Sequence, residues 1–134
     1  MKYLLDTHII LWALMNRSEL SESARNIIND AQNQLYYSTV SLWEVSIKHR
    51  LHPESIPCSS AELLRYLDAS ILRNLPVHNH HILALEHLHR SEDAPRHKDP
   101  FDRLLLAQAV AEDAIFLTHD RMFSYYDSVQ IKIV

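Results

Sequence analysis

The 134-residue sequence contains no glycine. Glycine-rich phosphate cradles need backbone without a Cβ close to the phosphate, so both the dinucleotide fingerprint and the Walker A loop are excluded. Kinases, P-loop NTPases and dinucleotide-dependent dehydrogenases lose their support on this one count. Tight turns must be made by Asn, Asp, Ser, His or Pro instead. The single cysteine, Cys58, can close no internal disulfide and supplies no zinc knuckle, which is compatible with a reducing compartment. No uncharged apolar run approaches the roughly 18 residues that a membrane helix requires. The N-terminal stretch meets Lys2 and Asp6 too soon for a signal peptide, so the expected location is cytoplasmic with no membrane association. Positive charge is also scarce. Thirteen Lys and Arg against 17 Asp and Glu leave a formal charge of −4, which argues against a broad electrostatic grip on duplex DNA. A nuclease that holds phosphate through carboxylate-bound metal ions remains compatible with that balance.

What is present is a globular composition, 47% hydrophobic and 22% charged, of a size expected for a single domain over residues 1–134. Short apolar runs at 2–5, 35–38 and 114–118 read as strands, with weaker ones at 72–77, where Pro76 demands an edge or an end, and at 129–134. Between them lie helical patterns: one opening at Thr7, one within 18–32 capped by Ser21, and one from a Ser41-x-x-Glu44 capping box to about Leu51. Further helices are expected at 61–69 behind Ser60, at 79–88, and at 100–113. This alternation predicts an α/β fold, a mainly parallel sheet covered on both faces.

The stretch His97-Lys98-Asp99-Pro100-Phe101-Asp102-Arg103 leads from a polar loop into an apolar helix. Pro100 suits the first helical position, Asp99 the N-cap, and Asp102 the first turn, where free N–H groups favour an anion. In open parallel sheets ligands bind beyond the carboxyl ends of the strands. Asp6 ends the first strand, Glu44 falls in the first turn after the second, and Asp120 follows the strand at 114–118. Asp102 reaches the same edge if its helix starts there. Two carboxylates about 5 Å apart repel by roughly 3 kcal/mol at an effective dielectric near 20, so such a set calls for a cation. Hard oxygen donors without a Cys or dedicated His set select Mg²⁺ or Mn²⁺ over zinc, and the chemistry expected is metal-assisted phosphodiester hydrolysis.

With these residues in place, the chain resembles the PIN-domain ribonucleases, specifically the VapC-like toxins of bacterial type II toxin–antitoxin pairs. The matching pieces are Leu4-Leu5-Asp6-Thr7-His8 with Leu11-Trp12, then Ser41-Leu42-Trp43-Glu44-Val45, then Asp99-Pro100-Phe101-Asp102-Arg103-Leu104-Leu105 with Ala107-Gln108-Ala109, and last Leu117-Thr118-His119-Asp120. They follow the family's order and span nearly the whole chain. The resemblance implies a three-layer α/β/α fold with four to five strands and an endoribonuclease with Asp6, Glu44 and Asp102 as the metal-site core and Asp120 as the more variable fourth acid. It also implies a homodimer, a cognate antitoxin and an RNA substrate. Asp99 and Thr118 are auxiliary candidates, the first with a capping role and the second as a carboxylate-orienting hydroxyl. The chain departs from the family in lacking glycine after Lys48-His49-Arg50 and before residue 114.

Other residues carry weaker expectations. Arg103 could pair with a site carboxylate, a phosphate or a partner's acid, against a plain surface salt bridge. Lys48 stands four residues after Glu44, so a helix pair competes with substrate contact. His8 either touches substrate or packs at a helix start. Trp12 and Trp43 read as core or interface residues rather than base-stacking platforms. The histidines at 78, 80, 81, 87 and 89 read as surface residues, since no H-E-x-x-H or cysteine partner accompanies them. Two other functions compete: a phosphohydrolase with Asp6 as nucleophile, which would want an aspartate where His8 stands, and a non-catalytic regulatory module that keeps the fold.

Overall fold

Period-two alternation sends neighbouring strand residues into different cores. In β1 (Lys2–Leu5), Tyr3 and Leu5 join Leu35, Tyr37 and Leu117 in one buried cluster, while Leu4 joins Phe116 in a second. The computed structural model of the chain describes residues 1–97, 99–128 and 130–134. Within it β1, β2 (Gln34–Ser38), β3 (Arg73–Leu75), β4 (Ile115–Thr118) and β5 (Ile131–Ile133) form one five-stranded sheet in the order β3-β2-β1-β4-β5. Every pairing is parallel, with Tyr3 opposite Leu35 on one side and Ile115 on the other.

Six α-helices accompany the sheet among the described residues: α1 (Thr7–Leu14), α2 (Glu22–Asn29), α3 (Thr39–Leu51), α4 (Ser60–Asp68), α5 (Asn79–Ala84) and α6 (Pro100–Ala111). The first core receives Ile9, Ile10 and Leu11 of α1, Ala24 of α2 and Leu63 and Leu67 of α4. The second receives Leu105, Leu106 and Ala109 of α6 with Phe123. Helix α3 serves both, through Val45 and Val40 respectively. The expected three-layer α/β/α arrangement is thus present, with five strands. None of the described helices is long and apolar enough to cross a membrane.

Several boundaries differ from the sequence-based expectation. The cap of α3 is Ser38, whose hydroxyl accepts the Val40 N–H at 3.0 Å, so the Ser41–Glu44 capping box does not form. Strand β2 hands directly to the helix, which moves Glu44 from the first turn to the second. Helix α4 is capped by Ser59 rather than Ser60, because Glu62 returns a carboxylate to the Ser59 N–H at 3.1 Å and closes the box there. Helix α5 tightens into a 3-10 turn at Leu85–His87 instead of continuing to 88. Lys98 and Val129, which the expectations for the 97–103 stretch and the last strand included, lie outside the described residues.

The missing glycines are replaced in a specific way. Helix α1 ends with Asn16 at φ 50°, and α6 ends with Asp113 at φ 54°. At the first, Arg17 N–H donates to Trp12 C=O at 2.8 Å and Asn16 N–H to Ala13 C=O at 3.3 Å. At the second, Ala114 N–H donates to Ala109 C=O at 2.8 Å and Asp113 N–H to Val110 C=O at 3.2 Å. Both are Schellman closures with Asn or Asp in the left-handed position that glycine usually takes.

Connections leave β1 toward β2 and β3 on one side, and β4 toward β5 on the other. The strand order therefore diverges between β1 and β4, and a crevice opens beyond their carboxyl ends. Asp6 and Asp120 follow those two strands directly.

Asp113→Gly should stabilise the fold by up to about 1 kcal/mol, and Asp113→Val should destabilise it by at least as much, because the left-handed conformation costs a β-branched residue most. Urea midpoints of the two variants read this directly.

Candidate active site

Asp6, Glu44, Asp99 and Asp120 on this edge are each held by a backbone N–H or a hydroxyl donor. Asp6 caps α1, its Oδ1 accepting the Thr7 N–H at 2.7 Å. Its Oδ2 accepts the Thr118 hydroxyl at 2.7 Å, and the same Thr118 oxygen accepts the Asp120 N–H at 3.0 Å. The end of β4 thereby orients the end of β1. Glu44 is 2% exposed, with Oε1 accepting the Thr7 hydroxyl at 2.6 Å. Thr7 has one hydroxyl proton, and Glu44 receives it, so the 2.8 Å contact from Ser41 must be Ser41 donating to Thr7. Ser41 therefore supports the glutamate through threonine, a tertiary role that replaces its expected cap.

Asp99 caps α6 as expected, with Oδ1 accepting the N–H groups of Phe101 at 2.9 Å and Asp102 at 3.3 Å. Its other oxygen takes the Lys48 ammonium at 2.8 Å, while the same Nζ donates to Glu44 Oε2 at 2.6 Å. Lys48 is thus more than an i,i+4 partner: it bridges two carboxylates from α3 and the start of α6. Burial works against its charge, but hydrogen bonds and charge from Asp99 and Glu44 overcome that and raise its pKa. Burial likewise opposes ionisation of Asp99, and Lys48 together with the two N–H donors holds its pKa below the ordinary value.

Asp102 projects from the first turn of α6 into the same space. His97, which the sequence placed only in a polar loop, hydrogen-bonds Asp102 Oδ2 through Nε2 at 2.9 Å and the Tyr126 hydroxyl through Nδ1 at 2.8 Å. Burial lowers the His97 pKa, so the neutral ring offers one donor and one acceptor nitrogen between the aspartate and the tyrosine. Nothing in the local sequence marks this pairing, because Tyr126 is 29 residues away.

The resulting cavity, about 330 Å³, is lined by Asp6, Glu44, Asp99, Asp102 and Asp120 together with Lys48 and an aromatic side made of His8, Trp12 and His119. Burial, chiefly, raises the Asp6 carboxyl to about 7, with Thr118 opposing and Glu44 adding to the rise. Asp102 reaches about 8, again from burial first and then from the charges of Asp6, Asp99, Glu44 and Asp120. Oxygen and imidazole donors converge in two overlapping sets, Glu44–Asp99–Asp102 and His97–Asp102–Asp120, whose facing atoms lie within 4.8 Å of one another. A hard divalent cation fits this donor chemistry and would relieve the two carboxyls that burial and repulsion keep protonated.

The cavity differs from expectation at its edges. Arg103 does not line it; the guanidinium stands beside Tyr126, and its Nε has no partner among the described residues. Trp43 is 52% exposed and packs edge-on against Phe101 with ring centres 4.6 Å apart. Trp12 is only part-buried and forms cavity wall as well as core margin. His81 is not a surface residue but fully buried, its Nδ1 accepting the His78 N–H at 2.9 Å. The ring proton is therefore on Nε2, donated to Glu112 Oε2 at 2.9 Å, with His80 on the same oxygen at 2.8 Å. A metal on that Nε2 would push the proton onto the nitrogen that already faces an N–H donor. The trio is a hydrogen-bonded brace whose donor atoms lie within 4.8 Å of one another.

Comparison with known proteins places this geometry in a family context. The PIN domain profile matches residues 3–129. Among solved structures, VapBC2 from Rickettsia felis bound to a DNA fragment from its promoter aligns with a TM-score of 0.66 at 18% identity, covering 99% of this chain and 98% of that one. VapBC-1 from nontypeable Haemophilus influenzae aligns with a TM-score of 0.61 at 17% identity, covering 93% and 92%. No curated protein sequence matches the chain.

The raised carboxyls give the metal-free protein a specific pH response. Asp6 and Asp102 ionise near 7 and 8 when folded but near 3.8 when unfolded, so between those limits the folded state holds protons that the unfolded state has released. Their contribution to stability is complete below the lower value and is lost as pH rises through the upper ones. Thermal unfolding in EDTA should show the wild type losing stability from about pH 5 to about pH 8 and Asp102→Asn losing less over that window. Parallel profiles would contradict the assignment.

Proposed function

The chain belongs to the PIN-domain family, and we propose that it is a divalent-metal-dependent endoribonuclease, the toxin of a toxin–antitoxin pair. The observation that carries this reading is the convergence of Asp6, Glu44, Asp102 and Asp120, with Asp99, on one cavity whose two central carboxyls are held protonated by burial and mutual charge. Asp6, Glu44 and Asp102, with Asp120 at the open side, are the residues that would hold Mg²⁺ or Mn²⁺. Bound there, the cation supplies charge for a scissile phosphate and acidifies an attacking water. The chain's own groups position the parts. Thr118 and Thr7 fix the rotamers of Asp6 and Glu44, and His97 fixes Asp102. Lys48 holds an ammonium between Glu44 and Asp99 on the wall of the same cavity, within reach of a bound phosphate.

The same reading covers the partners. Trp43, Ile47 and Leu51 form an exposed apolar stripe at four-residue spacing on α3, 52%, 40% and 66% exposed. A stripe of this kind supports a protein-covered face. The solved neighbours named above are VapBC structures, which supports an antitoxin as one occupant, and a homodimer is the second association we propose.

Purified protein should cleave RNA with Mg²⁺ or Mn²⁺ and stop on chelation, and Asp6→Asn or Asp102→Asn should abolish cleavage while leaving a folded chain. Full activity in either variant overturns the reading. His97→Ala should lower cleavage by roughly 10–100-fold, the usual effect of removing a group that orients a metal ligand, with a matching loss of Mn²⁺ affinity by calorimetry.

A further inference from the structure

The acidic cavity has one side unlike the others. Trp12 stands there between two imidazoles, His8 with ring centres 5.7 Å away and His119 at 5.3 Å in edge-on contact. Both imidazoles are tethered, His8 Nε2 to the Ser55 hydroxyl at 3.3 Å and His119 Nδ1 to the Val134 carbonyl at 2.5 Å. The indole is part-buried against the core and lines the acidic cavity, so its orientation is set before any ligand arrives. Beyond it lies a second hollow of about 190 Å³ that shares His8 and Trp12 with the first and contains Arg17. Arg17 is exposed in a 3.2 Å pair with Glu19, a contact that water screens strongly.

Charge alone cannot hold a polyanion in this place. The chain is formally −4, five acids line the cavity, and the Lys48 ammonium is engaged by two of them. Apart from a cation held by the acids, affinity for a nucleic acid strand draws on contacts to the bases, and an aromatic face accepts any base because every base has a π-face.

We propose that Trp12, flanked by His8 and His119, is a stacking platform for an unpaired nucleobase adjacent to the scissile phosphate, with the strand continuing across it toward Arg17. This assignment rests on the nuclease reading above and gives that site a base-contacting residue.

The test follows cleavage of a single-stranded oligoribonucleotide of about twelve nucleotides, within the usual single-strand site sizes, with Mn²⁺. Trp12→Leu keeps an apolar filler over the core but removes the π-face; it should raise KM by about tenfold with kcat within about twofold, and Trp12→Phe should restore most of the loss. Independently, in a Trp43→Phe background the remaining indole emission should be quenched by a phosphorothioate single strand in Mg²⁺ and not by the corresponding duplex. A wild type that cleaves while Trp12→Leu keeps its KM overturns the platform and leaves the nuclease reading intact. Equal quenching by duplex overturns it as well. A wild type that neither cleaves nor binds the oligonucleotide removes the nuclease reading, and the platform with it.

Discussion

Ionised carboxylates in a half-buried cavity resist being brought together, by roughly 3 kcal/mol for a pair about 5 Å apart at an effective dielectric near 20. Five acids share one cavity here, and the structure around them is arranged to hold them against that repulsion. Three devices do so. Backbone N–H groups at the starts of α1, α6 and the 3-10 helix Arg121–Tyr125 donate to the carboxylates of Asp6, Asp99 and Asp120, which cap them. Hydroxyls of Thr7 and Thr118 each donate to a buried carboxylate. Lys48 places one positive charge between Glu44 and Asp99. What these leave uncompensated appears as protons retained on Asp6 and Asp102 near neutrality.

The parallel sheet is what makes the gathering achievable. Because all five strands run the same way, their carboxyl ends open on one edge, and helices that start there point their N-termini at it. The hydrogen bonds then couple elements distant in sequence: Thr118 to Asp6 across 112 residues, Thr7 to Glu44 across 37, Lys48 to Asp99 across 51. Below the site, α6 anchors Asp102 by burying Leu104, Leu105, Leu106 and Ala109 beneath it. A carboxylate mounted this way cannot retreat into solvent when its neighbours ionise, which is why its proton affinity, rather than its position, changes.

The parts of this arrangement legible in the sequence are those written in local chemistry. Asp99-Pro100 announces a helix start, the alternation of short apolar runs with helical patterns announces a parallel α/β sheet, and Asp6 and Asp120 after two of the strands, with Glu44 in the helix after a third, mark the ligand edge. The parts that escaped are tertiary. Glu44 lies a turn deeper than a capping box would put it because Ser38, at the strand's end, had already started the helix. His97 carried no signal, since its partners are Asp102 across a loop and Tyr126 in a distant segment. His81 looked like one of many surface histidines, yet its position against Glu112 at the far end of α6 makes it a fully buried brace. Trp12 sat in an apolar helical pattern that fits a core residue, and only the packed structure shows it lining the acidic cavity. Even the absent glycine has a local answer visible in hindsight: Asn16 and Asp113 are the residue types that tolerate the left-handed turn.

The central claim, that these acids form a cation site whose carboxyls keep protons until a metal arrives, is tested most directly by counting protons released on Mn²⁺ binding. Calorimetric titration near pH 7 in buffers of different ionisation enthalpy gives that count. The account predicts net proton release that grows smaller toward pH 9, as Asp6 and Asp102 ionise on their own, and that shrinks in Asp102→Asn. Tight Mn²⁺ binding with no proton release at pH 7, or no binding at all, would contradict it.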